Sequence, residues 1–259
     1  MIKHFLLSVF IIVALFTSCE NLQTRKKIKA DLSDIKFEDK NITYDSIITL
    51  IPQYNEIISV LKDIKIKFSS EILLNHKSAE IYLNTKEVSF ASGMFMADLA
   101  YVRYFERVKL CTEYLESLKI LSEKLAISDK NFENLIVKVE SNIQDNEELF
   151  LIVDSLLAEA NNFFTKSEQH SLSCLALSGF WLELSYLGLS STNDNLDKNL
   201  DFFHSHFEIL GKINELYSCL EDETFINPLK QSFLELATKG LENPDLLEDI
   251  IRLRNDYIK

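Results

Sequence analysis

Apolar side chains recur three and four residues apart through most of this chain, the spacing that stacks them on one face of an α-helix. From Asp145, the stretch DNEELFLIVDSLLAEANNFF puts Leu149, Ile152, Val153, Leu156, Leu157, Ala160, Phe163 and Phe164 on one stripe. Asp145 with Glu148 forms a capping pattern at its start. A second amphipathic helix is predicted from about Arg107 to Ala126, with Val108, Cys111, Leu115, Leu118, Ser122 and Leu125 on its inner face. A third, from about Leu196 to Leu220, uses Leu200, Phe203, Phe207, Leu210, Ile213 and Tyr217. Pro52 opens a helix that buries Ile57, Ile58, Leu61 and Ile64, and a shorter piece spans Asn131 to Asn142. Asn227-Pro228 and Asn243-Pro244 each set a capping side chain before a proline at the first helical position, and Gly240 closes the earlier of these helices.

Two segments break the amphipathic rule. Val88 to Phe105 (VSFASGMFMADLAYVRYF) and Leu172 to Leu189 (LSCLALSGFWLELSYLGL) are apolar nearly all round. A helix without a polar face belongs at the centre of a bundle, covered on several sides. Asp98, Arg103 and Glu183 make them too polar for membrane spans of an exported protein. They are therefore expected to be the most buried helices and to lie close together. Gly93, Ala97, Ala100, Gly179 and Ser185 permit a short axial separation, so leucine at either glycine should overpack the contact by about 1–3 kcal/mol. The fold class is all-α, a multi-helix bundle or stacked array of helical hairpins with about eight helices.

The amino terminus has a different pattern. Lys3 and His4 precede an unbroken apolar run from Phe5 to Phe16, which matches the roughly 7–15 residues of a secretory signal core and falls short of a roughly 20-residue span. Thr17 and Ser18 then lead into Cys19, and this arrangement resembles the lipobox of bacterial lipoproteins. The resemblance implies cleavage before Cys19 and acylation of its thiol. Several acyl chains, each buried CH₂ contributing about 0.8 kcal/mol, would tether the protein without spanning the membrane. Residues 1–18 thus read as a signal peptide and 19–42 as the lipidated start and a charged linker, TRKKIKADLSDIKFEDK being rich in charge and poor in periodicity. A single helical domain is expected over 43–259.

Composition narrows the partners. The formal charge is −13, one unit more negative once Lys3 leaves with the signal, and an acidic body repels nucleic acid and anionic lipid. Only 5 glycines and 3 prolines occur, too few for the turns of an all-β fold. Cys111, Cys174 and Cys219 each lie in an apolar helical stretch. They read either as buried unpaired thiols or as one disulfide with one thiol left over. No CxxC or His-adjacent spacing suggests zinc, and His204 and His206, two apart on a helix, face away from each other. No metal or cofactor is expected.

The two apolar segments also echo one another. SGMFMADLAY (Ser92 to Tyr101) and SGFWLELSY (Ser178 to Tyr186) share Ser-Gly, aromatics, then acid-Leu-small-Tyr, with one residue of difference in length. Each is followed by a long amphipathic helix, as a duplicated helical unit would be. LIPQYNEIISVLKDIKIKF, ASGMFMADLAYVRYFERVKLCTEYLESLKILSEKLAI and LALSGFWLELSYLGL together resemble a family of uncharacterised Bacteroidota lipoproteins, over about Ile51 to Leu189. That likeness implies an all-helical lipoprotein and carries no activity.

Asp98 with Tyr101, and Glu183 with Tyr186, each place an acid and a phenol on one helix face. A carboxylate inside an apolar helix must be hydrogen-bonded, ion-paired or protonated. The first expectation for both acids is a packing role. The second is a small-ligand site walled by Trp181 and Tyr186, and the third is acid–base chemistry between two carboxylates in a cleft. No nucleophile elbow, P-loop or dinucleotide fingerprint is present. The leading functional expectation is a non-enzymatic, lipid-anchored envelope protein that presents a helical surface to a protein partner, on the periplasmic face of the outer membrane. A carrier for a small apolar ligand between the two central helices is the alternative, and an enzyme using Asp98 and Glu183 the third.

Overall fold

A computed structural model describes residues 67–125, 134, 137–138, 146–166, 170–191, 200–220, 224–241 and 243–259. The chain divides into units Met1–Ile42 and Thr43–Lys259. The signal, Cys19, the linker, the Pro52 helix, the Asp145 cap and most of the 131–142 piece lie outside the described residues.

Among the described residues the fold is all-α. Its helices are α1 (Thr85–Tyr104), α2 (Val108–Lys124), α3 (Asn146–Lys166), α4 (His170–Ser191), α5 (Leu200–Ser218), α6 (Ile226–Lys239) and α7 (Leu246–Tyr257), after a 3₁₀ turn at His76–Glu80. That is seven described helices where the periodicity predicts about eight for the whole body.

α1 and α4 are the two apolar segments, and they form the centre. Every residue of α1 from Val88 to Val102 is buried, as is almost all of α4 from Ser173 to Leu189. Their contacts climb together: Ser89 Oγ donates to the Leu172 carbonyl at 2.6 Å, Gly93 lies on Ala176, and Tyr101 Oη is 3.4 Å from Ser191 Oγ. The helices therefore run parallel, about 30 Å side by side. At the crossing they touch backbone to backbone. A Cβ on Gly93 would stand 1.8 Å from the Ala176 oxygen, and one on Gly179 2.0 Å from the Phe90 oxygen. The sequence echo is thus a contact echo, each Ser-Gly seating its glycine on the other helix's carbonyls. Ser92 and Ser178 both turn their hydroxyls back to the carbonyl four residues earlier, at 2.7 Å, so neither leaves a polar atom in the interface.

The remaining helices cover this pair. α2 packs on α1, α5 and α7 on α4, and α3 touches both central helices, while α6 packs against α5 and α7. α4 is long and apolar enough to cross a membrane by composition, but 89% of its apolar window is buried inside this fold. It is a core helix here.

Several local expectations change. Asn227 and Pro228 sit inside the first turn of α6, whose N-cap is Phe225 without a side-chain bond. Proline is tolerated there because the first-turn amides have no intrahelical acceptor to lose. Asn243 acts two residues ahead of the α7 cap, its Oδ1 accepting from the Asp245 amide at 3.1 Å. Gly240 closes α6 as expected, in a left-handed turn with φ 69°. Cys111 and Cys174 are buried free thiols, whereas Cys219 lies just past α5 and is exposed. Burial pushes the Cys111 thiol up to about 12, so it remains an inert packing group.

Candidate functional site

Residues 67–84 run over α1 and α2 as a strap that is irregular except for its 3₁₀ turn. Its backbone groups lack sheet or long-helix partners, and buried amides and carbonyls must be satisfied somewhere. Side chains of the core do this. Tyr101 Oη accepts from the Ser69 amide at 3.0 Å and donates to the Lys67 carbonyl at 3.1 Å. Asp98 Oδ2 accepts from the Leu74 amide at 3.0 Å, and Tyr114 Oη donates to the Leu74 carbonyl at 2.6 Å. Ser117 Oγ donates to the His76 carbonyl at 2.8 Å. Lys124 Nζ closes the strap by donating to the carbonyls of Ala79, Glu80 and Tyr82, at 3.0, 2.8 and 2.8 Å.

This is why polar residues interrupt the apolar helices. Asp98 and Glu183 are both 0% exposed, and the fold buries them close enough for the charge of one to act on the other. Glu183 receives two bonds from Arg254 of α7, Nε at 2.7 Å and Nη2 at 2.8 Å. The same Nη2 donates to the Ile72 carbonyl of the strap at 3.3 Å, and the guanidinium lies 4.0 Å from the centre of the Tyr186 ring. Burial, followed by the charge of Glu183, holds the Asp98 carboxyl well above the usual carboxylate range.

The phenols thus take other roles than the helix-face pairing suggests. Tyr101 fastens the strap, and Tyr186 carries the guanidinium; the phenol beside Asp98 is Tyr114, from α2. Sequence reasoning missed Arg254. The signal was present: it falls on the inner face of α7 with Leu246, Ile250 and Leu253, where a charge is out of place.

Trp181 is packed into the core and engaged by His206 at both its edge and its face. It is 1% exposed, its Nε1 donates to the His206 carbonyl at 2.7 Å, and its ring stacks on the His206 imidazole with centroids 5.1 Å apart and 7° between planes. His206 Nε2 lies 2.8 Å from Ser185 Oγ, a serine–histidine pair at catalytic distance. It is not an activated nucleophile, because the Ser185 hydroxyl donates to the Trp181 carbonyl at 2.8 Å and so accepts from the imidazole. Burial lowers His206 to about 4, leaving it neutral at pH 7. His204, two residues earlier, is exposed.

Among the described residues no group of three or more His, Cys, Asp or Glu is arranged to hold a metal. A surface cleft of about 80 Å³ lies between α6 and α7, where Asp249 is paired with Lys239 and Arg252. No protein-family model, curated protein or solved structure matches this chain.

Proposed function

We propose that this is a lipid-anchored protein of the cell envelope, held through Cys19, whose helical body is a non-enzymatic scaffold for a protein partner. One observation carries the choice among the candidate functions. The buried acids of the two central helices, with Tyr101 and Ser185, are turned to internal work: Asp98 and Tyr101 hold the strap, Glu183 holds Arg254, and Ser185 holds His206. Acid–base chemistry needs a substrate within reach of the acid, and Asp98 and Glu183 are sealed. A ligand between the central helices needs a gap, and at Gly93 and Gly179 their backbones fill it. The anchoring half of the reading rests on the apolar run from Phe5 to Phe16 that precedes Cys19, and on the resemblance to helical lipoproteins.

The test is made in cells with the full-length chain. Cys19→Ser should abolish palmitate incorporation and move the protein out of the membrane fraction; continued labelling sinks the anchor. Crosslinking in cells should then recover a protein partner with wild type, whereas co-purification of a stoichiometric small molecule and no protein would replace the scaffold by the carrier.

A further inference from the structure

We propose that Asp98 is held as a neutral carboxylic acid that donates its proton to Glu183, and that this shared proton fastens the strap 67–84 to the helical body, so that lifting the strap releases the proton. The inference is independent of the anchoring reading. Two acids with no solvent exposure share a space with one guanidinium that is nearly buried. Both Glu183 oxygens are engaged by Arg254, whereas Asp98 has a single donor, the Leu74 amide on Oδ2. Among the described residues no donor reaches Asp98 Oδ1. The hydroxyl of Tyr114 stands beside Asp98, but its hydrogen is committed to the Leu74 carbonyl. The remaining neighbour is Glu183, an acceptor. Two ionised carboxylates would repel each other there and leave the cluster with a net buried charge. One proton between them turns the repulsion into a hydrogen bond and leaves a neutral set.

The groups facing this proton come from every surrounding element. α4 contributes Glu183 and, through the guanidinium, Tyr186; α7 contributes Arg254; α2 contributes Tyr114; the strap contributes Tyr82. None is a second cation. The proton sits on Asp98 because Glu183 already has the guanidinium. Among the described residues the strap is the one non-helical element bonded to the cluster, at Ile72 and Leu74, so its lifting is what admits water. With the strap lifted, Asp98 becomes an ordinary solvated carboxyl and gives its proton to solvent.

The closed strap holds a proton that the open form gives up above the ordinary carboxyl range, so opening is favoured as pH rises. The full chain is followed by amide hydrogen exchange, corrected for the intrinsic rate, together with infrared spectroscopy. The opening ratio at Leu74 should climb up to about tenfold per pH unit above the ordinary carboxyl range, levelling off where Asp98 ionises in the closed form. One un-ionised carboxyl should be visible at neutral pH. Asp98→Asn keeps an acceptor for Leu74 and a donor for Glu183; it should remove the infrared band and flatten the climb while the strap stays protected. The proposal is overturned if no un-ionised carboxyl exists at neutral pH, or if the variant shows the same climb. Should Asp98→Asn not fold, a wild-type Leu74 ratio flat across the same range overturns it alone.

Discussion

Arg254 and Glu183 depend on each other unequally with the rest of the core. Both are nearly without solvent. Arg254→Met removes the cation while the Glu183 carboxylate stays buried with no second cation beside it among the described residues, and the expected loss is about 3–5 kcal/mol in urea unfolding. Adding Glu183→Gln removes the stranded carboxylate and should return most of that loss; a double variant no more stable than the single one would refute the pairing argument. His206 makes an opposite contribution with pH. Its folded value, about 4, lies below the ordinary 6.5, so the unfolded chain binds the extra proton first. Stability from this group is complete above pH 6.5 and falls on acidification towards pH 4, by up to about 1.4 kcal/mol per unit. Asp98 has the reverse slope over part of the same range, so the effect is read as the difference between wild type and His206→Phe. The fluorescence of Trp181, the only tryptophan, reports the unfolding.

At the scale of elements, the α1–α4 crossing has the least tolerance. The expectation of about 1–3 kcal/mol for leucine at Gly93 or Gly179 assumes that side chains yield. At both positions the obstacle is backbone, at 1.8 and 2.0 Å, and backbone inside a helix cannot shift without moving the helix. Even Gly93→Ala and Gly179→Ala are therefore expected to break the crossing, with loss of cooperative thermal unfolding by circular dichroism. Gly211, with nothing within 4 Å of its added Cβ, is the control and should accept alanine. A normal melting curve for either crossing variant would show that the two backbones are not held in contact. The strap shows the complementary rule: where backbone is irregular, the helices supply side-chain partners for it, from Tyr101, Asp98, Tyr114, Ser117 and Lys124.

Across the whole molecule, the carboxyl-terminal residues tie the ends of the fold together. Arg254 bonds α4 and the strap, and Tyr257 packs its ring 5.0 Å from Phe90 and 5.7 Å from Phe225. Lys259 pairs with Glu87 at 2.6 Å, and its amide donates to Tyr82 Oη at 3.3 Å. Truncation before Arg254 removes all of these and strands Glu183 in the core. The truncated chain should lose near-ultraviolet ellipticity and protease resistance even with most of its helix-forming sequence present. Truncation after Tyr257, which spares Arg254 and the ring, should cost only the Lys259 contacts and remain folded. Equal behaviour of the two would place the closing interaction elsewhere.

The sequence by itself determined the helices, because apolar periodicity is a local property: α3 begins at Asn146, next to the expected Asp145, and α2 and α5 fall within the predicted spans. It also determined which two helices are central, since Val88 to Phe105 and Leu172 to Leu189 have no polar face to give to water. The acids at 98 and 183 were conspicuous for the same reason. Their partners were not legible, because a hydrogen bond between residues 24 or 71 positions apart leaves no periodic trace. Arg254 reads locally as one charge in a short polar helix, and residues 67–84 carry no predicted element. Tertiary structure alone decided that the strap runs over α1 and α2, that its unpaired backbone needs Asp98, and that Arg254 comes from α7, 71 positions after Glu183. The cause is physical: burial makes every unsatisfied polar group expensive, and only the packed arrangement says which groups are buried together.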